Sequence, residues 1–258
     1  MTAAALVAPL HATFFTIDVN FGGGLTLSQQ GVFSTAANTW MGLLPEYQPG
    51  INITSLSIAA SGVDIDGANG VLGQAGPSDF TSQGGYFLAT EGIMQFDIAD
   101  LAAMETNGSL LNVILHEMAH VMGLGTLWGD NSVYTNDGLG RYTGAHGLTA
   151  YRSEFNQPGA AFVPVELGGG PGTANGHWNE VDGGGSATGI VSAQGDMRNE
   201  LMTGWLNSPA YISKLTIESF RDIGYLPASS VTPVPEPGTF VLMGVGVTLI
   251  GVFRRRTL

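Results

Sequence analysis

Two histidines and a glutamate stand close together in the stretch His116-Glu117-Met118-Ala119-His120. On a helix, residues four apart project from one face about a turn apart. Two imidazoles so placed can fill two corners of a tetrahedral zinc site. The glutamate between them falls beside the fourth corner, where a water would sit, and can take that water's proton. Zinc hydrolases of this kind use three protein ligands and one open position, so a third ligand must come from elsewhere in the chain. The remaining histidines are His11, His146 and His177. His11 precedes the first expected strand, and His146 lies in the loop-like run Gly144-Ala145-His146-Gly147. Asp130, Glu154 and Glu166 are carboxylate alternatives, and the residues alone leave the choice open.

The elements around this stretch must position it. Ser109 is placed to cap the motif helix, whose apolar face is Leu110, Val113, Ile114, Val121 and Leu124. Gly123 and Gly125 are placed to end it. Upstream, Phe15, Ile17, Val19 and Phe21 alternate as in a half-buried strand. From Ser28, the residues Phe33, Ala37, Trp40 and Leu44 share one helical face until Pro45. Ile51 to Ala59 and Gly92 to Phe96 read as strands, and a short helix is expected around Ile98 to Met104. Asp97 and Asp100 there read as packing or capping residues. The run from Asp64 to Gly70 reads as a turn, and Asp64, Asp66 and Asn69 in it make a structural calcium site the competing reading. After Trp128 periodicity is lost for about 80 residues, a length that in a compact domain is usually functional. A helix from about Ser213 to Ile223 closes the body.

Composition narrows the partners. The chain of 258 residues carries a net charge of −13, and no Lys or Arg precedes Arg141. Such a body lacks the basic footprint that nucleic acid or an anionic membrane requires, so neither is an expected partner. Cysteine is absent, which removes disulfides and thiolate metal ligands. Glycine, at 39 residues, runs at roughly twice the usual ~7% and predicts a loop-rich chain.

The carboxyl end has its own pattern. Val234-Pro235-Glu236-Pro237-Gly238-Thr239 leads into 14 apolar residues, Phe240 to Phe253, and then Arg254-Arg255-Arg256. The apolar run is short against the ~20 residues that span a bilayer. This end resembles the PEP-CTERM sorting tail of bacterial envelope proteins, which implies handling by an exosortase-type enzyme. The competing reading is an ordinary anchor whose arginines stay inside. Either one exports the body to the envelope or beyond, with membrane contact only through this segment. Met1 to Leu10 has no basic residue ahead of its short apolar stretch and makes a poor export signal, so a start upstream of Met1 is expected.

Thr126 stands where the compact metzincin pattern HExxHxxGxxH has its third histidine, although Gly123 is in place. Further on come Gly176-His177-Trp178-Asn179-Glu180 and Glu200-Leu201-Met202-Thr203-Gly204. This combination resembles the leishmanolysin family of zinc peptidases, in which a distant third histidine in an HW pair precedes an ELM methionine turn. Met94 to Asp97, Gly125 to Trp128 and Leu215 to Tyr225 are also similar, so the resemblance spans roughly Thr13 to Tyr225.

The resemblance implies a zinc-dependent endopeptidase acting on protein or peptide substrates. His116, His120 and His177 would be the metal ligands, Glu117 the general base, and Met202 a packing residue beneath the metal. It implies an α+β, metzincin-type zincin: a twisted mixed sheet with backing and active-site helices, then an irregular glycine-rich lower half closed by one helix. That domain would cover 1–227, with a linker at 228–233 and the sorting tail at 234–258. The strand near Gly92 to Phe96 would pair with an extended substrate. Two departures stand out: the spacer from Val181 to Met197 is long and glycine-rich, and the family's disulfides are missing. The competing functions are a non-catalytic surface or matrix adhesion protein on this fold, and a zinc hydrolase of non-peptide amides. An intact Glu117 argues against a decayed site.

Overall fold

The computed structural model describes residues 13–179 and 185–228. The chain divides after Ala228, and the account below concerns the first unit. His11, residues 180–184 at the head of the glycine-rich spacer, the linker from 229 and the sorting tail lie outside the described residues.

Four strands make the main sheet: β1 (Thr16–Phe21), β2 (Ser55–Val63), β3 (Gly73–Gln83) and β4 (Tyr86–Asp97). Their spatial order is β1-β2-β4-β3; β1, β2 and β4 run parallel, and β3 returns antiparallel at one edge. Alternation along the strands separates the two faces. Ile17, Leu56, Ile58, Ala60, Met94 and Phe96 are buried, whereas Asp18, Asn20, Ala59, Glu91 and Ile93 are exposed. One face therefore carries the core, and the helices at Leu27–Leu43 and Leu110–Val121 pack there.

Helix α1 (Leu27–Leu43) begins with a capping box between Thr26 and Gln29 and buries Phe33, Ala36, Ala37 and Trp40. Helix α2 (Ile98–Asn107) is capped by Asp97, whose side chain accepts from the Ala99 N–H. Helix α3 (Leu110–Val121) carries the histidine pair. Its expected cap is corrected: Ser109 has helical backbone angles and makes no side-chain cap bond, and its own N–H donates to Asn107 Oδ1 at 2.9 Å. In the lower half lie α4 (Ala145–Glu154) and α5 (Lys214–Arg221), which pack on each other. Trp128, Tyr142 and Trp178 form the aromatic centre of that half, with the two indole rings 4.7 Å apart.

Two elements have no sequence signal. β3 contains Gly73, Gly76, Pro77 and Asp79, residues poor in strand propensity, and its pairing with β4 is broken by irregularities around Pro77 and Asp79. It survives because it is an edge strand, where a proline N–H is not needed by a second neighbour. α4 contains Gly147 and few apolar residues, and tertiary contacts rather than a clean periodic stripe hold it. The mixed sheet and the five α-helices of the described residues are compatible with the expected α+β class.

Candidate metal centre

Helix α1 and the main sheet fix the position of α3. Its apolar side, including Val113, Ile114, Met118 and Val121, is buried against the sheet and α1. From α1, the Trp40 indole N–H donates to the carbonyl of Leu115 at 3.0 Å, one residue before His116. From the sheet, Gly92 of β4 lies so near the helix that a Cβ there would be 2.1 Å from Val121 Cγ1. Only a residue without a side chain lets strand and helix approach so closely.

The helix ends where expected. Gly123 takes a φ of 108°, and the turn behind it brings the Leu124 carbonyl back to His120 Nδ1 at 2.8 Å. The third histidine arrives from a different part of the chain. Its loop is closed by Thr173, whose carbonyl meets His177 Nδ1 at 2.7 Å. The Glu166 N–H donates to the His177 carbonyl, and the Asn175 N–H donates to the Glu166 carbonyl. Next to His177, the Trp178 N–H donates to the Met202 carbonyl at 3.0 Å. The Leu201 carbonyl in turn lies 2.7 Å from His116 Nδ1.

His116, His120 and His177 thus meet at one point, each Nε2 being 3.0 Å from the other two. Each Nδ1 faces a carbonyl, which only accepts, so each Nδ1 carries the proton and each Nε2 a lone pair. Three lone pairs aimed at one another have no hydrogen to share. Burial, the largest effect on all three, holds the rings neutral by lowering their pKa values, that of His177 to about 3. Such a donor set is completed by a cation and is compatible with a metal site. Among the described residues, it is the single cluster of this kind. Glu117 keeps partial access to solvent, yet the surrounding protein pushes its carboxyl up to about 7 by burial.

The other sequence candidates lie elsewhere. His146 is exposed at the start of α4, and its backbone N–H donates to Asp222. Glu154 receives the N–H groups of Lys214 and Leu215 and so caps α5. The Glu166 carboxylate accepts from the Gly168 N–H, and Asp130 is exposed. Neither belongs to the cluster. Asp66 accepts from the Val71 N–H within its own turn, so that carboxylate is used locally, and no acidic cluster with metal-ligand spacing accompanies it among the described residues. Sequence reasoning passed over the three carbonyls that set the histidine tautomers, because any residue supplies a carbonyl.

Two comparisons bear on identity. Residues 233–256 match the family model described as the PEP-CTERM protein-sorting motif, which implies an exported protein with a carboxyl-terminal sorting signal. A 134-residue stretch is 28% identical to a protein named "Leishmanolysin homolog" from Crithidia fasciculata, covering 46% of this chain and 18% of that protein. The chain therefore matches under a fifth of that relative's length. No helix among the described residues is long and apolar enough to cross a membrane.

Proposed function

We propose that this protein is an exported zinc-dependent endopeptidase of leishmanolysin type on a metzincin fold. The observation that carries the reading is the convergence of three neutral Nε2 lone pairs, two of them from the helix that carries Glu117 between its histidines. Zinc suits them: nitrogen ligands at about 2.0–2.1 Å on tetrahedral corners stand roughly 3.3 Å apart, close to the spacing here. The partial likeness to a leishmanolysin homologue supports the same reading.

When bound, zinc supplies Lewis acidity that lowers the pKa of water and polarises a peptide carbonyl. His116, His120 and His177 hold it through Nε2, their Nδ1–H groups fixed by Leu201, Leu124 and Thr173. Glu117 accepts the attacking water's proton on its carboxylate and returns it to the leaving amine. Met202, fully buried in the turn that follows Leu201, would be the packing residue beneath the metal in this reading.

Substrate positioning falls to a different strand from the one expected. β4, which contains Gly92 to Phe96, is bonded on both sides, by β2 and β3, so its backbone groups are taken. The edges of this sheet are β1 and β3, and of the two it is β3 that packs against α3. An extended peptide adds there as a further strand, on the strand that packs against the histidine-bearing helix. At the other end of the chain, the sorting motif makes an exosortase-type enzyme the processing partner.

The test is zinc content and casein cleavage of the whole protein beside Glu117→Ala. Zinc with chelator-sensitive cleavage, lost in the variant, is expected. Zinc without cleavage of casein or peptides would leave adhesion or hydrolysis of other amides. Undiminished cleavage by the variant would remove Glu117 from the chemistry.

A further inference from the structure

Glu200 is neither ligand nor base in this reading, yet its carboxylate is buried and gathers four donors. Oε2 accepts the Met202 N–H at 2.6 Å. Oε1 accepts the Ser213 N–H at 3.1 Å, the Ser213 hydroxyl at 2.8 Å and the Thr216 hydroxyl at 2.6 Å. The Thr216 hydroxyl oxygen also accepts the Trp178 indole N–H at 2.9 Å. The turn at 200–202 and the start of α5 therefore close on one carboxylate directly, and the residue following His177 reaches it through Thr216.

We infer that Glu200 is the positioning residue of the metal centre. Its Met202 bond fixes the turn that aims the Leu201 carbonyl at His116 Nδ1. Its Thr216 bond fixes the Trp178 ring, and the Trp178 backbone bond to Met202 carries the same constraint to His177. The chemistry of the group matches this duty. An ionised carboxylate only accepts, and all four partners donate. Ser213 and Thr216 can donate their hydroxyl protons to it because each has another donor at its oxygen, the Thr216 N–H and the Trp178 indole respectively. An amide in its place would turn an NH₂ group against these donors, leaving buried groups unmatched. Partners of this outer kind typically govern metal affinity by about 10–100-fold.

The inference rests on the histidines binding zinc, and its test separates the two. In the whole protein, Glu200→Gln and Glu200→Asp are compared with the parent for zinc affinity by chelator competition. The metal-free forms are followed by imidazole nitrogen NMR of His116 and by hydrogen exchange of the Met202 amide. Glu200→Gln is expected to weaken zinc binding by about 10–100-fold, to erode the His116 Nδ1–H tautomer and to speed Met202 exchange. Glu200→Asp should recover part of each effect. Parental zinc affinity together with an unchanged tautomer in Glu200→Gln would overturn the inference. Should that variant fail to fold, Thr216→Val cuts the link between Glu200 and Trp178 while keeping the side-chain shape. It is expected to weaken zinc several-fold and to speed exchange of the Trp178 indole proton, and parental values for both would overturn the inference equally. A parent protein that binds no zinc sinks the proposed function, and the metal-free readouts still decide the role of Glu200.

Discussion

Gly125 and Gly176 meet backbone to backbone, so closely that a Cβ on Gly125 would lie 2.2 Å from the Gly176 carbonyl oxygen. Gly125 follows the motif helix and Gly176 precedes His177, so this contact docks the third histidine onto the turn that ends α3. The φ of Gly125 is +77°, a region that other residues enter at a cost.

Gly125→Ala is accordingly expected to lose roughly 1–3 kcal/mol of stability through overpacking. Zinc affinity should fall with it, because the loop carrying His177 is displaced. Thermal unfolding and chelator competition measure the two effects. A variant with parental values for both would show that the contact positions nothing.

His177→Ala should lose zinc and peptidase activity together, and His146→Ala should keep both. The reason is that His177 joins the cluster while His146 sits exposed at the start of α4. Metal analysis of the two purified variants decides, and zinc retained by the first but lost by the second would refute the ligand set.

Glu117→Gln separates base from ligand. Its carboxyl is outside the ring of three nitrogens, so zinc and fold should persist. The rate should fall by about 10²–10⁴-fold or more with the proton acceptor gone. Parental turnover that a chelator still abolishes would mean that another group moves the proton.

Asp97 gives the fold an acid-sensitive point. Its carboxylate accepts the Ala99 N–H at the start of α2 and the N–H groups of Ile65, Asp66 and Gly67. These backbone bonds, that of Ala99 first, hold its pKa below the ordinary carboxylate value. A folded pKa below the unfolded one means stability that is present above about pH 4 and is lost as pH falls through the folded value. Asp97→Asn should therefore melt lower at pH 7, and the gap to the parent should narrow near pH 3. Melting curves at both pH values test this, and a gap of constant size would remove Asp97 from the acid response.

The sorting motif predicts that the tail is removed at or near Pro235-Glu236-Pro237 after export. Mass spectrometry of the mature protein from the native host is the measurement. Peptides running unbroken from Val234 through Phe253 in the mature pool would leave an ordinary anchor instead.

The residues alone reveal the candidate metal-binding pair and much of the main sheet and its packed helices. Spacing within one helix sets the geometry of His116 and His120, because four residues always make about one turn. Alternation exposed the strand at Ile17 and Val19, and period and proline exposed α1 up to Leu43. The acidic charge and the carboxyl-terminal pattern needed no fold at all. The remainder depends on long-range packing. That His177 rather than His146 reaches the cluster depends on loop packing across 57 residues from His120, and on backbone contacts such as Gly125 with Gly176. The carbonyls of Leu201, Leu124 and Thr173 set the tautomers, yet every residue has a carbonyl, so no side-chain type marks them in advance. β3 was hidden because an edge strand tolerates glycine and proline, and its place outside β4 leaves the strand at Gly92 to Phe96 paired on both sides. Local pattern reports what a residue can do. Only the packed chain brings distant backbone and side-chain groups to the same point.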